Sequence, residues 1–355
     1  MKLKELGFDS WFEKKLGDIP IKDCSIARVS AVEKDSCSVL GEFGEVIASI
    51  LGKLRYTAES KEDFPAVGDW VFVQYVDNNT QGVIHGILPR RSVLKRKKPG
   101  QKSEYQLISS NIDTAFIMQS LTEDFNIRRL ERYLIAVTEG GIEPVILLSK
   151  CDLISNKEID NKIQSISDYN KYKIISFSNK TGDGIGNIAD VIKPEKTYCI
   201  VGSSGVGKTT LLNKLIGEDR FKTGEIRESD GKGRHITSRK EFVVLQNGGL
   251  IIDTPGLREF GNIEADAGLI NTFPDIIEHA SDCKYVDCTH SNEPGCAVVK
   301  AIAEGKISES RFKSYLKLKK ESDYNKLTYL EKRRKDKKFG KFVKKALKHH
   351  WKRRG

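Results

Sequence analysis

Apolar and polar residues alternate in short runs between about residues 24 and 92. CSIARVSAV, SCSVLG, GEVIASILG, GDWVFVQYV and GVIHGILP follow one another with Gly, Asp and Asn between them. A period of two predicts strands. Five short strands in about seventy residues predict a small closed barrel of the oligonucleotide-binding type; an SH3-like barrel fits the same periodicity. RRSVLKRKKPG, residues 90–100, is basic, ends in Pro-Gly and reads as the linker out of the barrel.

From about 105 to 262 the pattern becomes strand then helix, repeatedly. TAFIMQS, EPVILLSK, YKIISFS, TYCIVG and GLIIDTPG each carry a short apolar strand, and Ile127, Leu130, Leu134 and Val137 recur at helical spacing. This alternation predicts an α/β domain with a largely parallel sheet. Residues 218–240 are charged, Gly-containing and nearly free of apolar side chains, so they are expected to be mobile without a ligand. Beyond 262 the chain reads as helical around a cysteine cluster. The expected division is therefore 1–95 for the N-terminal segment and barrel, 105–262 for the α/β domain, and 263–355 for the helical part and its tail.

Charge sharpens this picture at one end. The chain has 60 Lys and Arg against 49 acids, a net +11. Residues 331–355 alone hold 13 of the basic residues and two of the acids, so the rest is balanced. In that tail Phe339, Phe342, Val343, Ala346, Leu347 and Trp351 are spaced three or four apart, predicting an amphipathic helix with a very basic face. Such a tail points to a polyanion, most often nucleic acid. No apolar run has the 18 residues a membrane span needs, and the N-terminus lacks signal-peptide features, so a cytosolic protein is expected.

The chemistry starts at GSSGVGKTT. Gly202, Ser203, Ser204, Gly205, Val206, Gly207, Lys208 and Thr209 follow an apolar strand and open a helix, the context a nucleotide phosphate loop requires. Its backbone N–H groups face phosphate oxygens, and the helix N-terminus adds positive potential. Lys208 is expected to bridge the β- and γ-phosphates, and the Thr209 hydroxyl to ligate Mg²⁺. In LIIDTPG, Asp253 can hold Mg²⁺ through water and the Gly256 N–H can meet the γ-phosphate.

The base readers precede this loop. In SKCD, Asp152 can accept from the N1–H and 2-amino groups of guanine while the Lys150 stem packs on the ring. Adenine offers neither donor there. Ser178, Asn179 and Lys180 end the next strand and can supply a backbone N–H to the guanine carbonyl. Both segments stand at C-terminal ends of consecutive strands, where open α/β sheets place ligands. The order is base reader, second base loop, phosphate loop and then Asp253–Gly256, a permutation of the usual GTPase order.

Cys283, Cys288, His290 and Cys296 fall within 14 residues. Three thiolates and an imidazole are the ligand set of a closed, structural zinc site.

With GDWV, NID, GSSGVGKTTLLN, KTGEI and GKGRHIT, DTPGLREF and CKYVDCTHSNEPGCAV in this order, nearly the whole chain resembles the circularly permuted, ribosome small subunit-dependent GTPase A family of bacteria. The resemblance implies a barrel, a permuted GTPase domain and a C-terminal zinc domain. It implies GTP hydrolysis stimulated by the small ribosomal subunit and its rRNA, in late maturation of that subunit, with GTP or GDP, Mg²⁺ and one zinc ion bound. A monomer with no membrane role is expected. By the same resemblance Thr237 is matched to the Mg²⁺-binding switch threonine. There are two departures from the family pattern. Ser149 stands where Asn is usual, which is expected to forfeit a supporting hydrogen bond, and Ile236 stands where a hydroxyl residue is common.

Where small GTPases carry a water-orienting glutamine, this chain has Leu257. Hydrolysis is therefore expected to be slow alone. His235 is the candidate for orienting water, with contact to RNA or solvent as its alternative role. Two rival readings stay open: an ATP-dependent NTPase, against which Asp152 argues, and a non-catalytic RNA-binding module that carries nucleotide.

Overall fold

The structure is a computed structural model. It describes residues 2–17, 23–58, 60–97, 105–221, 242–253, 266–285, 288–291 and 293–326. The chain forms two compact units, Met1–Arg96 with Gln106–Phe260, and Lys97–Tyr105 with Gly261–Gly355.

In the first unit a short helix, α1 (Ser10–Leu16), precedes five barrel strands: β1 (Ser25–Val32), β2 (Ser36–Gly41), β3 (Gly44–Ile50), β4 (Trp70–Val76) and β5 (Gln81–Ile87). The barrel closes in the order β1-β2-β3-β5-β4, with β4 paired back to β1. β3 and β5 run parallel and the other pairs are antiparallel. Helix α2 (Gly52–Thr57) lies between the third and fourth strands. This is the predicted oligonucleotide-binding type of barrel, filled by Ala27, Val29, Val39, Val71, Val73 and Ile84.

The stretch read as a linker behaves differently. β6 (Val93–Lys97) pairs with β7 (Tyr105–Ser110), and Leu94 is buried. Arg90 and Arg91, at the start of the stretch, are spent on ion pairs inside the unit. Arg90 forks onto Asp69 at 2.8 and 2.7 Å, and Arg91 bonds Asp9 at 2.6 Å and Asp113 at 2.8 Å. The start of a stretch that reads as a linker is thus held by acids distant in sequence.

β8 (Thr114–Ser120) follows, then α3 (Ile127–Glu139), β9 (Glu143–Ser149), α4 (Asn156–Gln164), β10 (Lys173–Ser176), α5 (Ile185–Ala189), β11 (Thr197–Gly202), α6 (Lys208–Ile216), β12 (Phe242–Val244) and β13 (Leu250–Ile252). The sheet order is β10-β9-β8-β11-β13-β12. All pairs are parallel except β12–β13. Every residue of β8 and β11 is buried, as expected of central strands covered on both faces. Phe116, Leu147, Val201 and Ile251 are among the fully buried side chains of this sheet.

Arg28 on β1 ties the barrel to the sheet. Fully buried, it donates to the carbonyls of Leu6, Gly68 and Asn111 and stacks 5.3 Å from Trp70 and 4.7 Å from Phe242. Those carbonyls satisfy its N–H groups in place of water, which makes the burial of a cation tolerable.

In the second unit, α7 (Asp266–Thr272), α8 (Pro274–Ser281), α9 (Ala297–Ala303) and α10 (Glu309–Lys326) make the predicted helical part. Arg311 of α10 holds Asp275 of α8 through two bonds, at 2.8 and 2.6 Å, and donates to the Thr272 carbonyl. Among the described residues, no helix is long and apolar enough to cross a membrane. The basic tail, 331–355, lies outside the described residues.

Candidate functional site

Because β9, β10, β11 and β13 run parallel, their C-terminal ends share one edge of the sheet. That edge collects Ser149, Lys150 and Asp152, then Ser178, Asn179 and Lys180, then the loop from Gly202 to Thr209, and Asp253 after β13. His235, Thr237, Gly256 and Leu257 lie outside the described residues.

The phosphate loop turns where its glycines permit. Gly205 and Gly207 have φ of 77° and 97°. A Cβ on Gly202 would lie 2.3 Å from the Met118 carbonyl oxygen of the neighbouring strand, so only glycine lets the loop leave β11 this close to β8. Helix α6 starts at Lys208 and is anchored by buried Leu211, Leu212 and Ile216. The Lys208 ammonium folds onto the loop, bonding the Gly202 carbonyl at 2.9 Å and the Ser203 carbonyl at 2.6 Å. It stands where it can turn to phosphate oxygens.

The base segments bond directly to this loop. The Ser149 hydroxyl, fully buried, lies 2.8 Å from the Val206 carbonyl and 3.2 Å from that of Gln119. Asn179 Nδ2 donates to the Gly207 carbonyl at 2.9 Å. Ser178 Oγ accepts from the N–H groups of Lys180 (3.0 Å) and Thr181 (3.1 Å) and donates to Asp152 Oδ1 at 2.6 Å. Lys150 has φ of 61°, a left-handed conformation uncommon outside Gly and Asn. The turn puts the Asp152 carboxylate at the surface of the edge, exposed to an incoming base.

Residue-level reading of the sequence missed a brace behind the loop. Arg129, in the first turn of α3, bonds Asp124 at 2.8 Å and Ser203 Oγ at 3.1 Å, while Ser203 Oγ reaches Asp124 at 3.1 Å. These residues are more than seventy positions apart from Ser203, and no local spacing signals the contact.

In the second unit the four predicted metal ligands come together. One ligand atom from each of Cys283, Cys288, His290 and Cys296 lies within 4.8 Å of all the others. His290 Nδ1 is 3.6 Å from the sulfurs of Cys283 and Cys296, which are 3.9 Å apart. A tetrahedral ion with Zn–S bonds of about 2.3 Å needs ligand separations of about 3.8 Å, so the donor set fits zinc. Burial works to raise the Cys283 thiol, but the N–H groups of Val298 and Ala297 at the start of α9, with hydrogen bonds to Cys288 and Cys296, together lower its pKa. Glu293 straps the loop around His290, accepting from the N–H groups of Thr289 (3.1 Å) and Ser291 (2.9 Å) and from the Thr289 hydroxyl. Those bonds, the Thr289 hydroxyl first, hold its carboxyl down at about 2.

A model of the RsgA GTPase family matches residues 87–263. A protein of Opitutus terrae named small ribosomal subunit biogenesis GTPase RsgA is 36% identical over 334 residues, 91% of this chain and 90% of its own. One of Lactiplantibacillus plantarum, named small ribosomal subunit biogenesis GTPase RsgA 2, is 41% identical over 300 residues, 84% of each chain. The solved structure of YloQ, described as a circularly permuted GTPase, is similar at a TM-score of 0.63 and 27% identity, covering 88% of this chain and 99% of that one. YjeQ from Thermotoga maritima is similar at a TM-score of 0.63 and 25% identity, covering 84% and 98%.

Proposed function

The chain belongs to the RsgA GTPase family, and on that premise we propose that it is a GTP-driven switch acting on the small ribosomal subunit during late maturation. It is a GTP hydrolase. The observation that carries the reading is the direct hydrogen bonding of both base segments to the phosphate loop, at Ser149–Val206 and Asn179–Gly207.

In this reading Asp152, held by Ser178, accepts from guanine, the Lys150 stem covers the ring, and the Asn179 N–H meets the guanine carbonyl. The N–H groups of Ser203, Ser204, Gly205, Val206 and Gly207 cradle the phosphates, and Lys208 leaves its loop carbonyls for the β- and γ-oxygens. Thr209, Asp253 and Thr237 hold Mg²⁺, whose charge neutralises the phosphates when bound. Gly256 gives its N–H to the γ-phosphate. With Leu257 in the glutamine's place, His235 orients the attacking water and the reaction waits for the subunit. Zinc at Cys283, Cys288, His290 and Cys296 is structural, since the four protein ligands leave no open position.

The partner is the small subunit through its rRNA, engaged by barrel, zinc region and basic tail, and the protein works as a cytosolic monomer. The test is GTP hydrolysis by the purified chain with and without small ribosomal subunits, with the large subunit and Lys208→Ala as controls. Stimulation by the small subunit alone is the expected result. Turnover that is absent or unmoved by subunits, with GTP still bound, overturns the switch reading.

A further inference from the structure

Resting on the zinc reading of the second unit, we propose that Glu293 is a positioning residue for the metal, holding His290 in the backbone conformation that aims its ring at the sulfurs. Glu293 is not one of the four converging donors, so it acts through His290. Its Oε1 accepts the Thr289 N–H at 3.1 Å and the Thr289 hydroxyl, and its Oε2 accepts the Ser291 N–H at 2.9 Å. Both oxygens of one carboxylate are thus used, one on each flank of the histidine. A carboxylate suits this because both of its oxygens accept, whereas a carboxamide offers one acceptor.

His290 needs the clamp. It is buried and has φ of 58°, in the left-handed region that costs free energy for a residue other than glycine. In that conformation Nδ1 stands 3.6 Å from the sulfurs of Cys283 and Cys296. A slack loop would return the backbone to negative φ and swing the ring off the site. The clamp is itself anchored. The Glu293 carbonyl accepts the Cys296 N–H at 3.2 Å across Pro294 and Gly295, and Gly295 has φ of 82°. Proline at the second position and a positive-φ glycine at the third have the pattern of a type II turn. That turn ties Glu293 to the neighbouring ligand, so the side chain that positions His290 starts from a rigid base.

The experiment is zinc binding by the full chain in competition with a chromogenic chelator. Wild type, Glu293→Ala and Glu293→Gln are compared, with Glu293→Ala also placed on a His290→Ala background. Glu304→Gln is the control for charge: Glu304 pairs with Lys306 at 2.7 Å and Lys300 at 3.8 Å, so its loss leaves the Glu293 bonds in place. Glu293→Ala is expected to weaken zinc about 10–100-fold. Glu293→Gln, which keeps one acceptor, should fall between Glu293→Ala and wild type, and Glu304→Gln should stay within about twofold of wild type. On the His290→Ala background, where the ring is gone, Glu293→Ala should cost no more than about threefold. A general loosening of the loop would cost as much in either background. An equal loss in both backgrounds overturns the proposal, as does a Glu304→Gln loss as large as that of Glu293→Ala. Wild type is read first. If it binds no zinc, the zinc reading falls and takes this inference with it. Wild-type binding that Glu293→Ala leaves unmoved overturns this inference alone.

Discussion

The hydroxyl of Ser178 donates to Asp152 Oδ1 at 2.6 Å while accepting the N–H groups of Lys180 and Thr181. One buried side chain therefore folds the second base loop and aims the carboxylate of the first. Ser178→Ala removes the acceptor for two N–H groups and frees Asp152 to rotate. We expect GDP affinity to fall about tenfold, with a smaller effect on ADP, so that selectivity narrows. Competition of both nucleotides against a fluorescent guanine nucleotide measures this, and an unchanged GDP-to-ADP ratio would count against the orienting role.

Asp152 is the side chain we expect to decide the base. A carboxylate accepts twice and matches the two donors of guanine, whereas a carboxamide accepts once and donates once. Asp152→Asn sets an N–H against the 2-amino group and should weaken GDP by about 100-fold or more. The same amide pairs with the 2-oxo group of xanthine, so XDP should become the better ligand. Titration of the variant with GDP and XDP reads the exchange, and retained preference for GDP would show that Asp152 does not face the base.

Much of this architecture was legible because its signals are local. TAFIMQS and TYCIVG read as buried strands and are buried throughout. The four predicted zinc ligands crowd into 14 residues, and their atoms meet as expected. What escaped residue-level reading depends on side chains reaching distant backbone. Nothing around Arg28 announces a cation buried against three carbonyls and two rings. Residues 90–100, which include β6, read as a linker because they are basic and end in Pro-Gly, and nothing local tells that Arg90 and Arg91 meet acids from Asp9 to Asp113. Ser149 read as the loss of a hydrogen bond. It does bond the phosphate loop, at Val206, and a separate bond to the loop, at Gly207, comes from Asn179, which no spacing rule connects to it.

Zinc should be inseparable from the fold around α8 and α9. The three thiols bind metal as thiolates, which repel one another this close unless a cation holds them, and such sites contribute on the order of 10 kcal/mol to folding. The purified protein is expected to carry one zinc per chain. Cys288→Ser, or stripping with a strong chelator after thiol modification, should release it and reduce helical circular dichroism. Full helical signal in zinc-free protein would argue that the cluster is incidental.

Asp275 and Arg311 set a pH dependence in the same unit. Burial pushes the Asp275 carboxyl up, but the two bonds from Arg311, its charge, and the N–H groups of Asp275 and Ile276 outweigh this and leave it below 3.8. A depressed carboxylate contributes stability that is fully present above its unfolded value. That contribution is lost as pH falls through the lower folded value. Asp275 is 37% exposed at its side chain and Arg311 only 5%, so solvent screens one partner and not the other. Asp275→Asn should therefore cost about 1–2 kcal/mol at neutral pH, mostly by leaving Arg311 buried without its carboxylate. Urea unfolding of wild type and variant is the measurement. Their difference should be constant between pH 5 and pH 7, within about 0.3 kcal/mol, and shrink below about pH 4 as the wild-type carboxyl takes its proton. A difference that stays constant to pH 3 would mean the pair contributes packing and not charge.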